Sequence, residues 1–352
     1  MNYLKPLDIE KIYGEKRRKR ILIFTILLFG LFLSIILALM IGPVNIPPGT
    51  VLQILFNIAP ETWPPGYQAI ILDIRLPRII LGALVGAALA VAGAAMQAIF
   101  RNPMASPYIL GISSGSAFGA SLAFVIGINL LVGISAVTIM AFLFALITVY
   151  IVYAIARKGG GTSIETLLLT GIAISSLFSA LVSLLMYIAG EKLSTIWFWL
   201  MGGLWASDWN KVLFTFPIVI IGIFILFFYS RQMNLLLMGE ETALNLGLEV
   251  EKFKILILIL ASLITAAAVS VCGIIGFLGL IIPHMMRIIV GAEHRNLLPA
   301  SCLVGAIFLI WVDSLARTII SPVEVPVGII TALLGVPFFL YLLRKRKKII
   351  GW

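Results

Sequence analysis

The sequence runs to 352 residues, of which 61% are hydrophobic and 11% charged, with a mean hydropathy of +1.14. Soluble domains carry about 45–50% apolar and about 25% charged residues, which excludes an ordinary soluble enzyme and points to an all-α chain that crosses a membrane many times. The net charge of +10 does not read as nucleic-acid binding, because no basic folded face accompanies it.

In chain order, residues 1–20 form a basic stub that ends in Lys16–Arg20. Ile21–Ile41 is the first span; it is too long for a signal-peptide core and no A-x-A site follows it. A spanning helix needs about 20 mostly apolar residues, and the further candidates are Ile79–Phe100, Ile109–Ile128, Leu130–Ala156, Thr166–Ala189 and Val212–Tyr229. Beyond these come Ile255–Val271, Ile274–Val290, Leu297–Ala316 and Val325–Leu343. One helix over Ile255–Val290 would reach about 54 Å at about 1.5 Å per residue, more than a bilayer core, so the chain is expected to turn near Gly273, Gly276 and Gly279. The result is about ten spans over residues 21–343, followed by a basic tail, 344–352.

Charge supports that number. With both termini cytoplasmic, 20 of the 25 Lys and Arg residues face inward, and only Arg75, Arg78, Lys192, Lys211 and Arg317 face outward. That is the positive-inside bias; nine spans would split the two basic tails between opposite faces.

Pro47, Pro48, Pro60, Pro64 and Pro65 predict a stiff first outer loop of turns and short helix. Small residues at four-residue spacing, Gly82, Gly86, Ala90 and Ala94 in the second span and Gly111, Gly115 and Gly119 in the third, let helix backbones approach closely. They mark these spans as packed among the others, or as a flexible gate. Arg101-Asn102-Pro103 and Ser106-Pro107 break the chain between them.

Ser230–Lys254 is the one long charged interruption. Asn234–Glu249 reads as one or two short helices with turns at Gly239 and Gly247, and Glu240 and Glu241 suit a helix N-terminus. In an otherwise oily chain, this is the stretch a soluble partner could grip.

None of the 15 acidic residues lies near the middle of a span; Asp313 and Glu324 come closest, at outer ends. Ion-coupled transporters usually carry intramembrane carboxylates, so a proton-driven carrier is the more distant reading. Gly159-Gly160-Gly161-Thr162-Ser163 lacks the lysine of a G-x-x-x-x-G-K-[ST] phosphate loop, so the chain carries no such site to hydrolyse nucleotide itself. Cys272 and Cys302 set neither a disulfide frame nor a metal spacing. His284 and His294 flank Arg287 without the further donors zinc wants, and a structural role is expected of them. No nucleophile and base converge, so no enzyme is read. Trp197, Trp199, Trp205 and Trp209 are an interfacial belt or the wall of an outer vestibule. Arg75, Arg78 and Arg317 either snorkel to headgroups or capture the carboxylates of an acidic partner.

The segments RLPR (Arg75–Arg78), QAIFRNPMASPYILGISSGSAFGA (Gln97–Ala120), MGEETALNLGL (Met238–Leu248), GIIGFLGLIIPHMMR (Gly273–Arg287), HRNLLP (His294–Pro299), DSLAR (Asp313–Arg317) and EVPVGIITALLGVPFFLYLL (Glu324–Leu343) together resemble the FecCD-type permeases. These are the membrane subunits of ATP-binding-cassette importers for iron–siderophore, haem and cobalamin. The resemblance covers nearly the whole chain after the first span. It implies a cobalamin-importer-like permease of the cytoplasmic membrane that works as a homodimer. Two cytoplasmic ATPase subunits would use the ATP, and an extracytoplasmic binding protein would deliver the substrate; the chain itself would hold no cofactor or metal. Carried over by position, Arg75, Arg78 and Arg317 would dock the binding protein, and Gly239, Glu240, Ala243, Leu246 and Gly247 would couple to the ATPases. Span five would line the path with Thr170, Ser175, Ser176, Ser179 and Ser183, although ordinary helix–helix hydrogen bonding explains those residues equally well. The expected cargo is an iron(III)–siderophore-type chelate, with cobalamin, haem or molybdate as alternatives.

Overall fold

The computed structural model describes residues 6–58, 63–127, 135–158 and 161–346. Helix α1 covers Pro6–Met40, α2 Pro48–Leu55 and α3 Tyr67–Ala69; α3 continues through a π-helical turn, Ile70–Arg75, into α4, Leu76–Ile99. Next come a 3-10 turn at Pro107–Leu110, α5 (Ile112–Ile126) and α6 (Ala136–Ala156). A two-residue antiparallel pair, β1 (Arg157–Lys158) and β2 (Gly161–Thr162), leads to α7 (Ile164–Ile188). The remaining helices are α8 (Leu193–Met201), α9 (Trp209–Phe228), α10 (Ser230–Leu237), α11 (Glu240–Asn245), α12 (Val250–Cys272), α13 (Leu278–Val290), α14 (His294–Ala316) and α15 (Val327–Arg346).

Seven helical segments among the described residues are long and apolar enough to cross a membrane, and α5, α13 and α15 are shorter apolar helices. They fall on the ten expected segments, and the expected turn near Gly273 separates α12 from α13. The second segment differs: its helix begins at Tyr67, not Ile79. Pro77 cannot donate to the carbonyl four residues earlier, and the wide π turn ahead of it absorbs that loss without ending the helix. Leu130, the predicted start of the fourth span, Pro60, Gly159 and Gly160 lie outside the described residues.

Helix α4 is the centre of the bundle, with 89% of its most apolar stretch buried. Its small residues explain why. A Cβ on Gly86 would stand 2.2 Å from the carbonyl oxygen of Gly305 in α14, and one on Gly93 would stand 1.9 Å from that of Gly279 in α13. Helix α5 packs in the same way on α6, where Gly115 lies against Thr148. The glycines therefore serve close packing. Gly93→Ala is expected to lower stability by about 1–3 kcal/mol, the usual range for overpacking; thermal unfolding of the detergent-solubilised chain measures it.

Between α12 and α13 the backbone is not helical, and such backbone in a membrane protein persists only where protein groups satisfy it. Gly203 N–H donates to Cys272 O at 2.7 Å, and the Tyr108 hydroxyl donates to Ile275 O at 2.8 Å. The C-terminus of α8 and the start of α15 close on the same break, with Gly328 N–H donating to Gly202 O at 3.2 Å. No side chain fits there: a Cβ on Gly202 or on Gly328 would lie 2.2 Å from a carbonyl oxygen, of Ile274 and Met201 respectively.

Candidate functional site

The three arginines expected at the outer face are all buried, Arg75 at 3%, Arg78 at 6% and Arg317 at 4% exposure. The π turn carries Arg75 to the C-terminal end of α1, where its guanidinium donates to Leu39 O at 2.6 Å, to Met40 O at 3.2 Å and to Val44 O. Carbonyls at a helix C-terminus lack backbone partners and carry partial negative charge, so a cation suits them. Arg78 Nε lies 3.0 Å from both Asp313 carboxylate oxygens, and Nη2 reaches Oδ1 at 2.9 Å. The outer edge of the same guanidinium meets Glu324, Nη1 to Oε1 at 3.0 Å and Nη2 to Oε2 at 2.9 Å. Arg317 Nε completes the cluster 3.2 Å from Asp313 Oδ2.

The expectation that these arginines snorkel to headgroups is thereby corrected: in this conformation the three guanidiniums hold α1, α4, α14 and the segment before α15 together. The physical reason is the cost of an unpaired charge away from water. Asp313 and Glu324 were legible only as acids near span ends. Their partner lies 235 and 246 residues away, a separation that leaves no local signal. The one available clue was that acids and arginines were placed at the same membrane depth.

Beside this cluster lies a cavity of about 820 Å³ whose wall includes Trp199, Trp205, Lys211, Cys272, Val323 and Glu324. The tryptophan group thus divides: Trp199 and Trp205 line the cavity, whereas Trp209 donates from Nε1 to Leu72 O at 3.0 Å and Trp197 is exposed.

Helix α7 has little cover, with only 22% of its most apolar stretch buried and Leu169, Leu177 and Tyr187 exposed. A second cleft, of about 690 Å³, is lined by Ser175, Ser176 and Ser179 together with Tyr108, Ile109, Leu168 and Ile172. Thr170 and Ser183, expected on the same wall, do not line it. Ser176 and Ser183 donate to the carbonyls of Ile172 and Ser179, both at 3.0 Å, the common back-bond of a helical serine. Tyr108 was not anticipated: its own segment reads as an inner turn, yet its ring lines this cleft and its hydroxyl reaches the α12–α13 break.

At the opposite end of the bundle, the charged stretch folds as the two short helices α10 and α11, with Gly239 at φ 115° and Gly247 at φ 85°, values that favour glycine. Met233, Leu236 and Ala243 are buried, and Glu240 pairs with the buried Lys254 at 2.6 Å. Ala243 and Glu240 are therefore anchors of α11, and Ala243 presents no surface of its own. Met238, Leu244 and Leu246 stand out at 65%, 57% and 59% exposure. Asn234 of α10 accepts from the backbone N–H of His294 at 2.8 Å and lies 2.9 Å from its Nδ1. His294 thus has the structural role expected of it, fastening α10 to the start of α14. Among the described residues no group of three or more His, Cys, Asp or Glu side chains is placed to hold a metal ion.

Residues 28–345 match the FecCD transport family. The chain is 50% identical over 284 residues to the cobalamin import system permease protein BtuC of Halobacterium salinarum, spanning 81% of this chain and 76% of that one. It is 41% identical over 329 residues to the molybdate import system permease protein MolB of Haemophilus influenzae, spanning 92% and 96%. A solved structure described as an inward-facing conformation of a metal-chelate type ABC transporter matches with a TM-score of 0.81 at 39% identity, covering 92% of this chain and 99% of the other.

Proposed function

The chain belongs to the FecCD transport family and is an ABC importer permease, and from that premise we propose that it carries a bulky metal chelate inward across the cytoplasmic membrane. Two copies would face each other across α7, whose exposed apolar and serine-bearing surface suits a partner and a weakly binding path. Two ATPase subunits would clasp α10 and α11 on the cytoplasmic side, the side that the bias of Lys and Arg assigns to them. A binding protein would deliver substrate to the opposite end; docking through Arg75, Arg78 and Arg317 would then require their cluster to open.

The observation that carries this reading is α11: Leu244 on this short helix and Leu246 at its C-terminal cap are exposed, and Ala243 and the Glu240–Lys254 pair fix the helix to the bundle. An apolar patch on a firmly anchored helix can receive a push and pass it on. As to cargo, the α7 cleft has aliphatic, tyrosine and serine walls and no cation among its lining residues. A small dianion such as molybdate would find no charged donor there, whereas a large chelate could pass without tight binding. The 50% identical relative is named for cobalamin, so a corrinoid is the first candidate and a ferric siderophore the second.

The test is reconstitution in sealed proteoliposomes with the ATPase and binding protein. ATP-dependent accumulation of labelled cobalamin or ferric siderophore is expected, and none with the permease alone. Uphill uptake by the bare chain would overturn the reading.

A further inference from the structure

Glu324 is the most exposed member of the outer cluster. Its side chain is 31% exposed, against 7% for Arg78 and 3% for Asp313, and it stands on the wall of the 820 Å³ cavity with Val323 and Cys272. Three attachments hold its segment. Glu324 binds Arg78 through both carboxylate oxygens, Val325 N–H donates to Ala316 O at 3.0 Å, and Gly328 N–H donates to Gly202 O at 3.2 Å. The last contact closes α15 onto the end of α8 and the α12–α13 break.

We infer that Glu324 is the releasable half of the cluster, a positioning residue whose bond to Arg78 holds one wall of the outer cavity in place and keeps Cys272 shielded. Arg78 gives three of its five hydrogen bonds to Asp313 and two to Glu324, so letting go of Glu324 leaves the arginine held in place by Asp313, which it shares with Arg317. An ion pair with one partner reached by water is weakened by screening, whereas a sealed one is not. The two carboxylates thus divide the work: Asp313 anchors, and Glu324 can exchange Arg78 for water. Once it does, the segment loses one of its three attachments, and the part of the cavity wall formed by Val323 and Glu324 is free to move away. The use of this opening, admission of cargo from outside, rests on the importer reading; the latch geometry does not.

Cys272 provides a native reporter, since it lines the cavity and is 3% exposed. In a Cys302→Ala background, full-length chain in lipid nanodiscs is treated with a charged, membrane-impermeant maleimide, and the rate of Cys272 labelling is measured. Glu324→Gln is expected to raise that rate at least tenfold with the melting temperature held. Glu324→Asp, which keeps the carboxylate, should restore most of the protection. Labelling of Glu324→Gln at the parental rate would overturn the latch. So would a rise accompanied by a loss of melting temperature as large as that of Asp313→Asn, because general loosening would then explain it. The assay uses neither ATPase nor substrate, so its failure is distinct from a failure of chelate uptake.

Discussion

Asp313→Asn is expected to destabilise the chain by about 3–5 kcal/mol, the usual cost of removing one partner from a buried ion pair. Asp313 is 2% exposed and serves two arginines, so the variant strands Arg317 with only Ser314 Oγ at 3.2 Å and Ala38 O at 3.5 Å. Arg78 would keep Glu324 but lose its sealed partner. The cluster ties α14 to α4 and, through Arg75 and Arg317, to the end of α1, so the damage should be global. Thermal unfolding in detergent, followed by size-exclusion of the surviving monodisperse fraction, should show Asp313→Asn melting well below the parent and below Glu324→Gln. An Asn variant that melts with the parent would mean that these charges contribute nothing to the fold.

The second large effect is functional. Leu244→Asp combined with Leu246→Asp should abolish coupled uptake and reduce co-purification of the ATPase at least tenfold, since a contact hot spot is worth about 2 kcal/mol or more. Both side chains are more than half exposed, so the fold should survive, as an unchanged melting temperature would verify. Undiminished ATPase capture by this variant would remove α11 from the coupling surface. A bulky replacement at Ala243 would not give so clean a result. That residue is fully buried, and its substitution would dislodge α11 itself.

Much of the molecule could be read from its residues in order. The ten apolar segments, the turn at Gly273 and the two short helices of the charged stretch, with turns at Gly239 and Gly247, all arise from local chemistry. Apolar run length, glycine placement and charge at segment ends are properties of neighbours in the chain. The packed state of α4 was legible for the same reason, because small residues four apart lie on one side of a helix whatever surrounds it. The extension of α4 back to Tyr67 was not, since Pro77 argues locally for a start and only the π turn overrides it.

Partnership across long separations was decided by tertiary structure alone. Composition showed arginines and carboxylates at the outer ends of spans, but whether Arg78 points outward or grips Asp313 and Glu324 depends on α4 and α14 lying side by side. Equally, that Ala243 is an anchor and Leu244 a free surface depends on which side of a six-residue helix meets α12. The physical reason is common to both: hydropathy is a sum over adjacent residues, whereas the stability of a buried charge or an exposed leucine is set by whatever the fold brings within a few ångströms of it.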